Sequence, residues 1–269
     1  MAAMVELSRV VRFCVSPGDR ASLGEKGRNT FAAWPAMVGI GAFFELEVRC
    51  RGEVDPITGY LVNISEIDKA VRSRAVPIIS EALRHRPDTP PWRLLPELLR
   101  ATNCLGVAVS AISWRLSPYH AVSMSKSAPD QVVLSETFEF AAAHRLNCRG
   151  LSEEANRRLF GKCNNPSGHG HNYRVEVSIA VPLEAAELNP PFDHLALERI
   201  VDELVVRRFD HMNLDVDTEE FKGKNSSVEN IARACYDLLR EPLTQAGARL
   251  IRVRVWETEK TSCTYPAEA

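Results

Sequence analysis

The chain has 269 residues, of which 45% are hydrophobic and 25% charged, and its formal net charge is −2. This near-neutral balance does not favour binding to nucleic acid or to an anionic membrane surface. The longest apolar run, 36–44, is too short to span a bilayer, and the N-terminus lacks a signal-peptide pattern. Seven cysteines at irregular spacings indicate reduced thiols, so we expect a cytoplasmic protein.

The first half of the chain predicts a strand that follows Gly39-Ile40-Gly41, a hairpin over 52–63 and a helix from Ser65. Residues 39–48 align without a gap with residues 168–177 further along the chain. Both glycines, one aromatic position and a Glu-Val pair agree, whereas the two histidines of the later segment are replaced by Ile40 and Ala42. An internal match in this order predicts a tandem duplication.

The segment 125–131 has the composition of a short linker. We therefore expect one unit over residues 1–128, without metal ligands, and a second over residues 129–269 that carries the chemistry. The alternative is a single domain with a coincidental strand resemblance. Two antiparallel, helix-containing units of this kind indicate the α+β class.

The second half predicts a regular series of elements from its hydrophobic periodicity. In chain order, we expect a strand at 132–143, a strand at 171–182, a helix at 195–207, a helix at 227–240 and a strand at 249–257. The last strand places Ile251, Val253 and Val255 on one face, and Glu257 continues that phase. Glu257 is therefore expected to point inward, where a buried carboxylate requires hydrogen-bond donors.

Three histidines stand close together in the sequence at 144, 169 and 171. His169 and His171 are two residues apart, so on a strand both rings leave the same face. His144 keeps the phase of Phe138 and Phe140, which also predicts an inward-facing ring. Three neutral imidazoles with an open fourth position are typical of catalytic zinc. A His-x-His pair taken alone is more often structural.

These residues lie within a longer pattern that resembles the 6-pyruvoyl-tetrahydropterin synthase family over roughly residues 134–268. The matching segments, in order, are Leu151–Tyr173 with Cys163-Asn-Asn-Pro-Ser-Gly-His169-Gly-His171, Phe209-Asp-His-Met-Asn-Leu-Asp215, Ser227-Val-Glu-Asn230 and Val255-Trp-Glu-Thr258. The resemblance implies the T-fold, in which such units associate into barrels. It also implies a pterin triphosphate substrate, Zn²⁺, and Mg²⁺ accompanying the triphosphate.

The resemblance further implies roles for individual residues. His144, His169 and His171 would bind the metal, Cys163 would abstract protons, and Asp210 with His211 would relay them. Glu257, Ser227 and Glu229 would hold the pterin. Ser226 and Glu229 also fit a capping box for the helix that follows. Asp193-His194 is a second Asp-His pair, and we interpret His194 as the start of a helix.

Two other functions remain open at this point. The related 6-carboxytetrahydropterin synthases tend to place the cysteine four residues before the first histidine, whereas Cys163 and His169 are six apart. A non-catalytic zinc-binding or pterin-binding module is the other alternative. The resemblance also implies sites formed between subunits, so we expect a homo-oligomer, specifically a homotrimer arranged as a pseudo-hexamer.

Overall fold

The computed structural model describes residues 4–16, 29–103, 108–183, 192 and 194–267. The chain divides into two compact units, Met1–Leu134 with Pro182–Glu184, and Ser135–Val181 with Ala185–Ala269. The sequence predicts a boundary at 128/129, after a linker. Residues 125–131 instead form the end of one strand, a turn at 126–127 and the start of the next strand. Ser125 closes this turn, since its hydroxyl accepts a hydrogen bond from Ser127 N at 3.2 Å.

Unit 1 contains an antiparallel sheet and a set of helices. Its elements are β1 (Met4–Val15), β2 (Ala42–Glu53), α1 (Ile64–Ala70), α2 (Val76–His85), α3 (Leu95–Thr102), β3 (Ala108–Ser117) and β4 (His120–Ser125). The strands follow the order β1-β2-β3-β4. Alternate strand residues are buried: Leu46 and Val48 of β2 and Ile112 of β3 lie in the core with Val71 and Leu98 of the helical segment.

Unit 2 contains two long strands separated by a short helix, then a helical segment interrupted by a two-residue strand, and then two further strands. Its elements are β5 (Ala128–His144), α4 (Glu153–Phe160), β6 (His169–Pro182), α5 (His194–Val201), α6 (Arg207–Phe209), β7 (Met212–Asn213), α7 (Leu214–Asp217), α8 (Val228–Gln245), β8 (Arg249–Thr258) and β9 (Thr261–Tyr265). The first residues of β5, 128–134, and the last residue of β6 belong to unit 1. The strand order is β5-β6-β8-β9, and β7 pairs with β5 in parallel. These elements confirm the α+β class.

The predicted helices of unit 2 are present, with different ends. A π-type turn at Asp202–Val206 continues α5 into α6, so the first helical segment runs from His194 to Phe209. The second helix extends to Gln245. The predicted apolar stripes face the core, where Leu197, Val201 and Val205 are fully buried, as are Ile231, Cys235 and Leu239.

The face of β8 differs in one detail from the prediction. Val253 and Val255 are buried opposite Val177 and Val175 of β6. A shift in register precedes them, because Ser178 pairs with Arg252 while the next residue of β6 pairs with Leu250. Leu250 rather than Ile251 therefore fills the preceding buried position. Among the described residues, no helix is long and apolar enough to cross a membrane.

Candidate functional site

Three histidines from two neighbouring strands of unit 2 converge at one point. His144 ends β5 and is fully buried, whereas His169 and His171 lie at the start of β6 and are partly buried. One ring nitrogen from each lies within 4.8 Å of the others. The Nε2 atoms of His144 and His169 are 3.1 Å apart. The structure thus brings together the three predicted metal ligands.

The protonation of these rings determines whether they fit a metal. Nδ1 of His144 is 2.8 Å from the carbonyl oxygen of Ser226, and since a carbonyl only accepts, Nδ1 carries the proton. Its Nε2 therefore presents a lone pair. Nε2 of His171 is buried and finds no hydrogen-bond partner in the described part of the chain. Burial lowers the pKa of His169 and of His171, which favours neutral rings. Three imidazole lone pairs at this spacing fit a divalent cation.

Two further side chains approach the triad from within unit 2. Glu257 Oε1 lies 3.4 Å from Nε2 of His144 and 3.7 Å from Nε2 of His171. The inward orientation predicted for Glu257 is therefore present. Tyr173 Oη lies 3.3 Å from Nε2 of His144, and burial raises the pKa of this phenol, so Tyr173 keeps its proton. The ring of Tyr173 stacks on Phe140.

Cys163 lies on a 3₁₀ turn, Gly161–Asn164, that follows α4. Its main-chain oxygen accepts a hydrogen bond from Leu146 N at 2.8 Å, and Asn164 Nδ2 donates to Leu146 O at 2.8 Å. The side chain of Asn164 is almost fully buried. These bonds attach the cysteine turn to the segment that directly follows His144, and the thiol remains partly exposed.

Asp210 and His211 form a hydrogen-bonded pair beside β5. Asp210 Oδ2 accepts from His211 Nδ1 at 2.7 Å, and Oδ1 accepts from Ala141 N at 2.8 Å. These bonds lower the pKa of Asp210, the Ala141 bond most strongly. His211 N donates to Ala141 O, and His211 adopts a left-handed backbone conformation with φ 58°. Its exposed ring borders a cavity of about 800 Å³ that His171 also lines.

The beginning of α8 corrects one prediction. The N-cap is Ser227, and its side chain makes no capping hydrogen bond. Ser226 is fully buried, and its hydroxyl donates to Asp215 Oδ1 at 2.7 Å. The predicted capping box of Ser226 and Glu229 is therefore wrong, because the serine hydroxyl bonds to another loop. Glu229 is exposed in the first turn of α8.

Sequence reasoning missed Asp215, Ser226 and Asn164 as members of this site. Asp215 and Asn164 stand inside the motifs that carry the resemblance, yet no periodicity indicates their contacts. The pattern Ser-x-x-Glu predicts a cap at Ser226, because it is also the local pattern of a capping box. Each of the three acts through a contact with the segment 144–147, which is distant in the sequence.

The fold and the site together define an α+β protein whose second unit carries a three-histidine centre. A model of the family described as 6-pyruvoyl tetrahydropterin synthase matches residues 133–268. The chain therefore belongs to this family.

Several known proteins resemble the second half of the chain. The human 6-pyruvoyl tetrahydrobiopterin synthase is 38% identical over 138 residues, which is 51% of this chain and 93% of the human protein. A protein of Archaeoglobus fulgidus whose name gives it as a 6-carboxy-5,6,7,8-tetrahydropterin synthase is 32% identical over 130 residues, which is 48% of this chain and 91% of that protein. The solved structure of the Caenorhabditis elegans 6-pyruvoyl tetrahydropterin synthase covers 51% of this chain and 96% of its own, with 35% identity and a TM-score of 0.47.

Proposed function

We propose that this protein is a zinc-dependent lyase that converts 7,8-dihydroneopterin triphosphate to 6-pyruvoyl-tetrahydropterin and triphosphate. The observation that carries this proposal is the convergence of His144, His169 and His171 beside Glu257 in a member of this family. The three histidines would hold Zn²⁺, and Mg²⁺ would accompany the triphosphate. When bound, zinc supplies a Lewis acid that polarises oxygen atoms of the substrate.

Side chains of the protein would bind the pterin ring and abstract a proton from the substrate. Glu257 would accept hydrogen bonds from the N–H groups of the pterin ring, and Ser227 with Glu229 would border the same ring. Cys163, as a thiolate, would take a proton from a side-chain carbon of the substrate.

The Asp210–His211 pair would receive and return protons during the elimination. His211 Nδ1 donates to Asp210, so the neutral ring has its lone pair at Nε2. Because the ring borders the cavity, Nε2 is available to a bound substrate. The carboxylate orients the ring through this hydrogen bond.

The similarity to the Archaeoglobus fulgidus protein keeps a second candidate, a 6-carboxytetrahydropterin synthase. The six-residue step from Cys163 to His169 favours the pyruvoyl product. Mass spectrometry of the pterin formed from 7,8-dihydroneopterin triphosphate by the zinc-loaded protein separates the candidates. A pyruvoyl side chain with released triphosphate supports the proposal, and a carboxyl product contradicts it. No turnover would instead indicate a non-catalytic binding module.

We also infer that unit 1 is a duplicate of unit 2 that lacks the metal ligands. Both units have two long strands, a helical segment and two further strands in this order, which supports the inference, and unit 2 has α4 and β7 in addition. Gly41 and Gly170, aligned in the sequence, also share a structural role. A Cβ at Gly41 would lie 2.4 Å from Val15 O, and one at Gly170 would lie 3.3 Å from Ala142 O. Ile40, aligned with His169, is 97% exposed and precedes β2.

A homotrimer arranged as a pseudo-hexamer is the assembly we propose on the family resemblance. Light scattering of the purified chain tests it, since the chain mass of 30.0 kDa predicts a particle of three times that mass. A monomeric mass would contradict this assembly.

A further inference from the structure

We propose that Asp215 and Ser226 are positioning residues that orient the ring of His144 for metal binding. This inference rests on the metal site proposed above. The ring of His144 donates from Nδ1 to the main-chain oxygen of Ser226 at 2.8 Å. The hydroxyl of Ser226 donates in turn to Asp215 Oδ1 at 2.7 Å.

The second carboxylate oxygen of Asp215 links the hydrogen bonds of Ser226 back to the residue that follows His144. Oδ2 accepts from the main-chain N–H of Arg145 at 2.5 Å, and Arg145 directly follows His144. One carboxylate thus holds the backbone of the histidine segment and the residue that binds the histidine ring. Both Ser226 and His144 are fully buried, so the contact between them is shielded from solvent. A carboxylate with both oxygens used in this way restricts the backbone and the ring of His144 together.

The loop that carries Asp215 is itself bound along β5. At one end of this loop, Asp210 accepts a hydrogen bond from Ala141 N. In the middle of the loop, β7 pairs with Ala142 and Ala143. At the other end, Asp215 accepts from Arg145 N. The segment 210–215 therefore lies against the last residues of β5 at both of its ends. This attachment gives Asp215 a defined position relative to His144.

The orientation of the ring has a chemical consequence. Because the Ser226 carbonyl accepts only from Nδ1–H, the neutral ring is held as the tautomer with its lone pair on Nε2. Nε2 is the atom that faces His169 at 3.1 Å. Groups that hydrogen-bond the far nitrogen of a metal-binding histidine fix its tautomer and orientation, and their loss typically weakens metal affinity by about 10- to 100-fold.

The test is the zinc dissociation constant of the full chain, measured by competition with a chromophoric chelator. We expect Asp215→Ala to weaken zinc binding by about 10- to 100-fold and Ser226→Ala to weaken it by about 10-fold. Asp215→Asn should bind zinc nearly as well as the native chain, because the amide oxygen can accept from Arg145 N and the amide N–H can donate to the Ser226 hydroxyl. Asp237→Asn, an exposed acid on α8, is the matched control.

The visible absorption of the Co²⁺-substituted chain provides a readout that does not depend on activity. We expect the band of Asp215→Ala to shift in position or intensity, since the ligand field depends on the orientation of His144. Native zinc affinity in both alanine variants would overturn the proposal, as would equal losses in Asp215→Asn and Asp215→Ala. If Asp215→Ala does not fold, the zinc affinity of Ser226→Ala alone tests the proposal. This variant removes the hydroxyl that bonds to Asp215 and keeps the main-chain carbonyl that accepts from His144. Absence of zinc binding by the native chain would instead refute the proposed metal site.

Discussion

The carboxylate of Glu257 lies directly against the ring of His144, with 3.4 Å between Oε1 and Nε2. Glu257 lies near the end of β8 and His144 is the last residue of β5, so the contact is made between the ends of two strands. The proposed substrate anchor and the proposed metal ligands therefore border one space. A pterin ring bound to Glu257 would direct its side chain toward the three histidines.

Replacement of this carboxylate is expected to weaken pterin binding. Glu257→Gln keeps the size of the side chain but removes the charge that accepts from the pterin N–H groups. Hydrogen bonds to a charged group contribute about 1.5–3 kcal/mol, so the dissociation constant of a pterin should rise by about 10- to 100-fold. Fluorescence titration measures it. Glu259→Gln, at an exposed pair with Arg174, is the control, and an unchanged affinity in Glu257→Gln would contradict the role.

Loss of the Cys163 thiol is expected to affect turnover and not binding. Cys163→Ala should lower kcat by about 100-fold or more, because a general base contributes typically about 10²–10⁴-fold. Zinc content and pterin affinity should stay at the native level. Cys148→Ala, at a cysteine whose main chain is held by Asn156, provides the control. Full turnover in Cys163→Ala would show that another group removes the proton.

Removal of one imidazole is expected to abolish stable metal binding. His171→Ala leaves two of the three ring nitrogens that would bind zinc. Loss of a residue that only hydrogen-bonds a ligand typically weakens metal affinity by up to about 100-fold, and loss of the ligand His171 itself should weaken it by more. Elemental analysis after gel filtration reports the bound zinc per chain. His85→Ala, at an exposed histidine of α2, should retain the native zinc content. Equal zinc in the two variants would exclude the triad as the metal site.

Glu136 is expected to make the stability of the protein depend on pH. Burial, and secondarily the charge of Glu198, raises the pKa of Glu136 from 4.5 to about 7. The folded chain therefore binds a proton that the unfolded chain has released in this window, so stability falls as pH rises from about 4.5 to about 7. Glu136→Gln should raise Tm at pH 8, and the gain over the native chain should shrink toward pH 5.

Thermal unfolding followed by circular dichroism at several pH values measures this effect. Glu139→Gln, at an exposed position of the same strand, is the control and should show no pH-dependent gain. A gain in Glu136→Gln that is the same at pH 5 and pH 8 would contradict the raised pKa.

The parts of the fold that bury apolar faces could be predicted from the sequence. His169 and His171 share the buried phase of Tyr173, and the helix stripe of Leu197 and Val201 faces the core. In contrast, α4 (Glu153–Phe160) was not predicted, because the one residue it buries is Asn156 and it lacks an apolar stripe. Periodicity detects an element only where a hydrophobic face repeats along it.

The polar contacts of the site could not be predicted, because they join segments that are distant in the sequence. Ser226 lies 82 residues from His144, and Asp215 lies 70 residues from Arg145. Local patterns carry no information about such pairs. The bulge that places Leu250 in the core instead of Ile251 is missed for a related reason, since it depends on the register with β6.

The left-handed backbone conformation of His211 lowers the stability of its loop, while the proposed reaction requires the imidazole at this position. At φ 58°, a residue with a Cβ is less favourable than glycine, by about 1–2 kcal/mol. Selection for a stable loop alone would place glycine or asparagine here. An imidazole at this position is therefore a local concession of stability, and a search for more stable variants would tend to remove the ring that the proposed reaction needs.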